Sequence, residues 1–394
     1  MKKVLKKTLK KMSKFFLFKM LFPVFYKICA LHPVKSNKVL LIETHDETLN
    51  GSFRMVCAWL KQKRPDVKIH VVYTRADSVN QFVYLLNCLK LIYELSNSKA
   101  VFLSEACNIL GAVNKRKETR VIQLWHGCGA FKKFGYSTAE LLWGATREEL
   151  EEYPNYENMD IVTVSSPEVI WAYEEAMGIE REKILPIGIS RTDLFFQKDF
   201  LNKCKTNFYK QFAGTENKKI ILYAPTFRGN MDDIKTCEEF PYEDFCRKFG
   251  KATILLVKHH PFVKSRPELP EICNGIVFDV TETMKIEELL CISDLCISDY
   301  SSLIFEYSLM ERPMIFFAPD KNEYDDWRGF YYPYEEMTPG PICEDADTLL
   351  QAIENNLQHF DAERIRQFRN KFMSACDGHS TKRIMELAFA EDNI

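Results

Sequence analysis

Among its 394 residues the chain has no uninterrupted apolar run long enough to cross a bilayer, which argues against a spanning helix. It also has no Gly-x-x-x-x-Gly-Lys-Ser/Thr loop, and no Gly-x-Gly-x-x-Gly follows a strand-like run. Kinases, nucleotide hydrolases and dehydrogenases built on glycine-rich phosphate loops therefore lose support. Thirteen cysteines are present without one Cys-x-x-Cys pair, which is neither a zinc pattern nor a secreted disulfide framework and suits a reduced cytosol. Asp345 and Asp347 form an Asp-x-Asp pair in a late polar segment that reads as a helix start, so no metal ligands and no cofactor are assigned. Residues 1–38 lack Asp, Glu and Arg and carry eleven Lys, which leaves a net charge of about −13 on the remainder of a chain whose total is −2.

What is present is the composition of a globular protein, 46% hydrophobic and 27% charged, and its length divides most simply into two domains. In the basic segment Lys2, Lys3, Lys6, Lys7, Lys10, Lys11 and Lys14 recur at helical spacing, with Val4, Leu5, Leu9, Met12 and Phe16 broadly opposite. The apolar stretch 15–34 is interrupted by Lys19, Pro23 and Lys27, and no small-residue cleavage site follows it. A solvated tail and a nucleic-acid arm are the alternatives. The number of phenylalanines favours an amphipathic helix lying on an anionic membrane surface, with no nucleic-acid partner.

From residue 37 onward strand-like and helical runs alternate. Residues 38–42, 70–73, 100–103, 120–125 and 161–164 read as strands, with helices over 51–63 and 78–96. A second series follows at 219–223, 253–257, 276–279, 295–297 and 314–317. The expected architecture is α/β: two Rossmann-like domains facing a central cleft, with ligands at the carboxyl ends of parallel strands. The expected divisions are a basic segment at 1–36, a first domain at 37–190 and a second at 191–394, with the C-terminal helix packing back on the first.

The chemistry-bearing residues follow the strands. After Leu124-Trp125 comes His126-Gly127-Cys128-Gly129, where a His at a strand end is placed as a general base and the glycines admit a substrate to the backbone. A lone His of this kind also serves as a cap or packing residue. After Tyr223 come Pro225, Thr226 and Arg228, a hydroxyl and a guanidinium suited to phosphate, or else a proline-marked turn. After Val257 come Lys258, His259 and His260. Neighbouring histidines on a strand point in opposite directions, so anion recognition fits that cluster better than a metal. After Ile297 come Asp299, Ser301, Ser302 and, one turn later, Glu306, where a helix start offers N–H groups and Asp299 is expected to cap it. Four such clusters imply one anionic ligand, and a nucleotide diphosphate fits.

In this order the motifs Gln123-Leu124-Trp125-His126-Gly127 with Lys132-Lys133-Phe134-Gly135, Leu222-Tyr223-Ala224-Pro225-Thr226-Phe227-Arg228, Lys258-His259-His260-Pro261, Ser298-Asp299-Tyr300-Ser301-Ser302 and Arg328-Gly329-Phe330-Tyr331 ahead of Pro339-Gly340-Pro341 resemble the CDP-glycerol glycerophosphotransferases of teichoic acid synthesis. The resemblance runs from about residue 37 to 385 and implies a glycosyltransferase-B-like (GT-B-like) fold. It implies transfer of glycerol phosphate from CDP-glycerol, or ribitol phosphate from CDP-ribitol, to a hydroxyl of an undecaprenyl-linked saccharide, releasing CMP at the cytoplasmic face of the membrane. By the same resemblance His126 is the base, and His260 serves the diphosphate or the leaving CMP. Trp125, Gly127, Cys128, Arg191, Pro225, Thr226, Arg228, Lys258, His259, Ser301, Ser302 and Glu306 bind the donor.

Two features depart from the family pattern. Cys128-Gly129-Ala130-Phe131 replaces the commoner Thr-Pro-Leu and is one residue longer, which points to altered donor or acceptor preference. The short basic N-terminus, in place of a large helical region, favours a single-unit primer enzyme or a short-chain transferase over a long-chain polymerase. A nucleotide-sugar transferase on the same architecture and a catalytically silent membrane scaffold are the competing classes.

Overall fold

The computed structural model describes residues 2–44, 48–75, 79–141, 144–230, 233–237, 240–321, 324 and 329–390. Arg328, Ser78 and the side chains of Lys2, Lys3, Lys6, Lys7 and Lys10 lie outside what is described. The chain forms two compact units. The first comprises Met1–His126, Phe134–Asp193 and Ala375–Ile394, and the second Gly127–Lys133 and Leu194–Ser374.

In the first unit the strands are β1 (Lys35–Glu43), β2 (Lys68–Tyr73), β3 (Ser98–Leu103), β4 (Arg120–Gln123), β5 (Ile161–Thr163) and β6 (Ile184–Leu185). They form one parallel sheet in the order β2-β1-β3-β4-β5-β6. A strand's side chains alternate between faces, so Leu40, Ile42, Val101 and Leu103 supply one core while Val39, Leu41, Ala100 and Phe102 supply the other. Burial on both faces is why these strands read as continuous apolar runs. The Gly51–Lys63 helix starts where Asn50 accepts from the Phe53 N–H at 3.0 Å. The Gln81–Ser96 helix is capped in the same way by Asn80. The C-terminal helix Ser380–Ala388 adds Ile384, Met385 and Ala388 to the second face, and Asp193 accepts from the N–H groups of Ser380 and Thr381 at its start.

The basic segment is helical over Lys2–Phe16, continues through a π-helical turn, Leu17–Leu21, and ends as the helix Phe22–Cys29. Phe22 and Tyr26 are buried in the first core, so this last part is integral to the unit. Lys14 is committed to the protein, with Nζ 2.7 Å from Glu149 and 4.1 Å from the Tyr153 ring centroid.

In the second unit β7 (Lys219–Tyr223), β10 (Thr253–Val257), β11 (Val277–Asp279), β12 (Leu295–Ser298), β13 (Met314–Phe317) and β14 (Ile342–Cys343) form a parallel sheet. Their order is β11-β10-β7-β12-β13-β14, and a hairpin of β8 (Arg228–Asn230) and β9 (Asp233–Lys235) stands apart. With the hairpin set aside this is the Rossmann order 3-2-1-4-5-6. The direction of winding reverses between β7 and β12, so the loops after those two strands flank the position where such sheets bind ligands.

Candidate active site

In the second unit that position is organised by Asp299. It leaves β12 with its carboxylate 1% exposed and accepts from the Thr226 N–H at 2.9 Å and the Thr226 Oγ1 at 3.1 Å, drawing the loop after β7 toward it. Arg228 Nη1 donates to the same carboxylate at 2.9 Å and to the Thr226 carbonyl at 2.8 Å, while its other edge pairs with Asp320. The guanidinium lies about 5 Å from the ring centroids of Tyr300 and Tyr324, which stack at 3.7 Å. Burial works against the charge on Arg228, yet Asp299 and Asp320 hold its pKa above the ordinary arginine value. A cation already matched by two carboxylates is a strut for the Thr226 turn more than a free phosphate ligand.

Asp299 therefore does not cap the next helix. The short helix Leu303–Ser308 has Ser302 at its N-cap with no side-chain capping bond. Asp299's carboxylate is turned away to Thr226 and Arg228, a stronger charge-assisted set than one helix N–H offers. Ser301 and Ser302 are half-buried, and Glu306 is a buried carboxylate one turn on.

After β10 the three basic residues have different surroundings. Lys258 Nζ donates to the Thr281 and Met284 carbonyls at 2.5 and 2.7 Å, and burial lowers its pKa. His259 is buried, with Nδ1 3.0 Å from Thr236 Oγ1, and desolvation lowers its pKa also. His260 is half-buried against Phe227 and Phe262, and its Nδ1 accepts from the Phe262 N–H at 3.2 Å. That bond places the proton of the neutral ring on Nε2.

The segment Gly127–Lys133 is part of this unit. Phe131 packs edge-on to Phe330 at 5.3 Å, Lys133 N–H donates to the Gly329 carbonyl, and Tyr331 N–H donates to the Phe131 carbonyl. Gly129 has φ +64°, and a Cβ there would stand 2.2 Å from the Phe305 ring. Its lack of a side chain admits the Phe305 ring. Cys128 is buried.

In the first unit β4 ends at Gln123, two residues before the end expected from sequence, because Trp125 turns into the left-handed region at φ 56°. Gln123 secures the turn: its Oε1 accepts from the Trp125 N–H at 3.0 Å and its Nε2 donates to the Glu105 carbonyl at 2.9 Å. Glu105, in the loop after β3, then lies 2.9 Å from His126 Nδ1, while Trp125 packs against the His126 ring at 4.4 Å. The His126 side chain is 51% exposed. A carboxylate on Nδ1–H fixes the tautomer that leaves Nε2 as a proton acceptor. Arg191 sits half-buried in the 3₁₀ segment Ser190–Phe196. Among the described residues no group of three or more His, Cys, Asp or Glu side chains is arranged to hold a metal ion.

A profile of the family described as CDP-Glycerol:Poly(glycerophosphate) glycerophosphotransferase matches residues 24–390. The chain belongs to this family. This glycerophosphotransferase is 35% identical over 374 residues to the teichoic acid ribitol-phosphate primase of Bacillus spizizenii, covering 92% of this chain and 93% of that protein. It is 29% identical over 339 residues to the teichoic acid glycerol-phosphate primase of Bacillus subtilis, covering 82% and 85%. The solved wall teichoic acid polymerase TagF matches with a TM-score of 0.77 at 21% identity, over 98% of this chain and 96% of that one. The glycerophosphotransferase thus has the GT-B-like α/β fold that its motifs implied, and it is an enzyme.

Sequence reasoning missed Glu105, Gln123, Asp320 and Tyr324 in this glycerophosphotransferase. Gln123 stood inside one of the family motifs, and a polar side chain within an apolar strand-like run was the available signal. Glu105 and Asp320 carried none, since each is brought to its partner by tertiary folding.

Proposed function

We propose that this glycerophosphotransferase transfers glycerol phosphate from CDP-glycerol to a hydroxyl of an undecaprenyl-linked saccharide, releasing CMP, in the synthesis of teichoic acid or a related surface polymer. The observation that carries the chemistry is the Glu105–His126 pair. His126 Nε2 takes the proton of the acceptor hydroxyl, the oxygen attacks the phosphorus bearing glycerol, and the bond from that phosphorus to the CMP oxygen breaks. His260 Nε2–H donates to the diphosphate or to the departing CMP. Ser301, Ser302 and the Thr226 turn held by Asp299 serve the donor side, with Arg228 and Lys258 as positioning residues. Trp125, Gly127, Cys128, Arg191, His259 and Glu306 complete the assignment by family resemblance. Positioning and fixed hydrogen-bond donors, more than covalent chemistry, carry phosphoryl-type transfer.

CDP-ribitol is the second donor reading, and a specific observation favours it. The relative at 35% identity is a ribitol-phosphate primase, whereas the glycerol-phosphate primase stands at 29%. Acceptors of this type are lipids, and the basic N-terminal helix supports peripheral binding at the cytoplasmic face of the membrane. No helix among the described residues is long and apolar enough to cross one.

The test offers CDP-glycerol, CDP-ribitol and a nucleotide sugar with a lipid-linked disaccharide and follows CMP. Release from CDP-glycerol supports the first reading, and release from CDP-ribitol alone transfers the assignment to ribitol. No CMP from either CDP-alcohol overturns both.

A further inference from the structure

Along the N-terminal helices and the turn that follows them Met12, Phe16, Met20, Val24, Ile28 and Leu31 recur every three or four residues, and each is more than half exposed, Leu31 at 84%. The Gln81–Ser96 helix, packed against Phe22–Cys29, exposes Phe82 and Leu86 as well. Apolar surface on this scale marks a contact site. Residues 1–38, which carry the row, contain eleven Lys and no acid, so the charge beside it complements an anionic surface.

Beside the row is a cavity of about 320 Å³. Pro23, Tyr26 and Lys27 of the Phe22–Cys29 helix and Ala30 at its end wall it on one side, and Gly111, the last residue of the short helix Asn108–Gly111, and Arg116, in the loop before β4, close it. Tyr26 is 3% exposed. Its hydroxyl oxygen accepts from the Arg116 backbone N–H at 3.0 Å, and among the described residues nothing accepts its hydrogen. Burial raises the Tyr26 pKa, so that hydrogen stays in place as a donor. Neither the Lys27 ammonium nor the Arg116 guanidinium has an ion-pair partner among the described residues. Two cations and a buried O–H donor suit phosphate oxygens, and the small apolar walls suit the carbons attached to them. Lys27 precedes Ile28 of the exposed row, so a phosphate held here would have its hydrocarbon beside that row.

We propose that this cavity binds the phosphodiester headgroup of an anionic phospholipid while the adjoining apolar row enters the acyl boundary. The site rests on the peripheral-membrane reading above and specifies its lipid contact, but it is independent of the donor chemistry. The test uses the full chain in cosedimentation with phosphatidylglycerol/phosphatidylcholine vesicles, and in calorimetry with short-chain phosphatidylglycerol below its micelle concentration or with inorganic phosphate. The double variant Lys27→Ala/Arg116→Ala should lower partition onto the anionic vesicles on the order of 10–30-fold and remove the heat of the short-chain lipid. Tyr26→Phe should weaken that heat, and Val24→Ser/Ile28→Ser should lower partition without removing it. CMP release with a detergent-dispersed acceptor, and the thermal midpoint, should stay at wild-type values in the double variant, which separates failure of the lipid site from failure of the transferase reading. Unchanged partition and heat in the double variant would overturn the site. Equal heat from inorganic phosphate, with vesicle partition unaffected, would make it a free-anion site and overturn the lipid assignment.

Discussion

A histidine at a strand end becomes a base only when something fixes its tautomer, and at His126 that group is Glu105 on Nδ1. His126→Ala is therefore expected to lower kcat by about 10²–10⁴-fold while CDP-glycerol affinity stays near wild type, since the base acts on the acceptor. Glu105→Gln should lower kcat on the order of 10²-fold by misplacing the ring, again without loss of donor affinity. A KM change with kcat intact would return Glu105 to a purely structural part. His259 gives a prediction in stability. Burial holds its folded pKa below the unfolded value of about 6.5, so the unfolded chain binds more protons in the window below that value. Stability should fall as pH drops from about 7 toward 5, and His259→Asn should flatten that slope in urea titrations. An unaltered slope would show that other groups set it. Asp299 carries the lesson of this scale: Ser and Asp before a helix read as caps, but a carboxylate takes the stronger donors that folding brings to it.

Among the elements, the strands were legible because burial on both faces writes them as apolar runs, and the helix read at 51–63 is found at Gly51–Lys63, where the structure adds the Asn50 cap. The two-residue strands β6 and β14 and the β8–β9 hairpin were not, since so few residues carry no periodicity. Nor was the end of β4 at Gln123, which Trp125 forces by turning left-handed. The segment after it gives the prediction for this scale. Gly129→Ala combines a positive φ with a Cβ 2.2 Å from the Phe305 ring, and should cost about 2–4 kcal/mol, read as a lowered thermal midpoint. Gly214, at φ +84° with nothing within 4 Å, is the control. Gly214→Ala should cost only the backbone part, about 1 kcal/mol. Equal losses in the two variants would rule out the Phe305 contact as the cause.

Across the whole molecule, charge is divided between a lysine-only N-terminus and an acidic remainder. Deleting residues 2–11 removes most of those lysines and keeps the Lys14 contact with Glu149 and Tyr153. The truncated protein should lose most of its binding to phosphatidylglycerol vesicles, in a salt-sensitive way, with a thermal midpoint close to that of the full chain. Undiminished vesicle binding would count against the basic helix as an anchor.

By itself the sequence determined the α/β class, the alternation of strand and helix, the strand-end motifs in their order and the family they identify. These are local or ordinal properties, written in periodicity, capping residues and spacing. Tertiary structure alone decided which side chains meet: Glu105 with His126, Asp299 and Asp320 with Arg228, Phe305 with the bare backbone of Gly129, and Tyr26 with the loop that carries Arg116. Each of these contacts joins residues far apart in the chain, and no pattern of neighbouring residues can encode a distance that only the packed core sets.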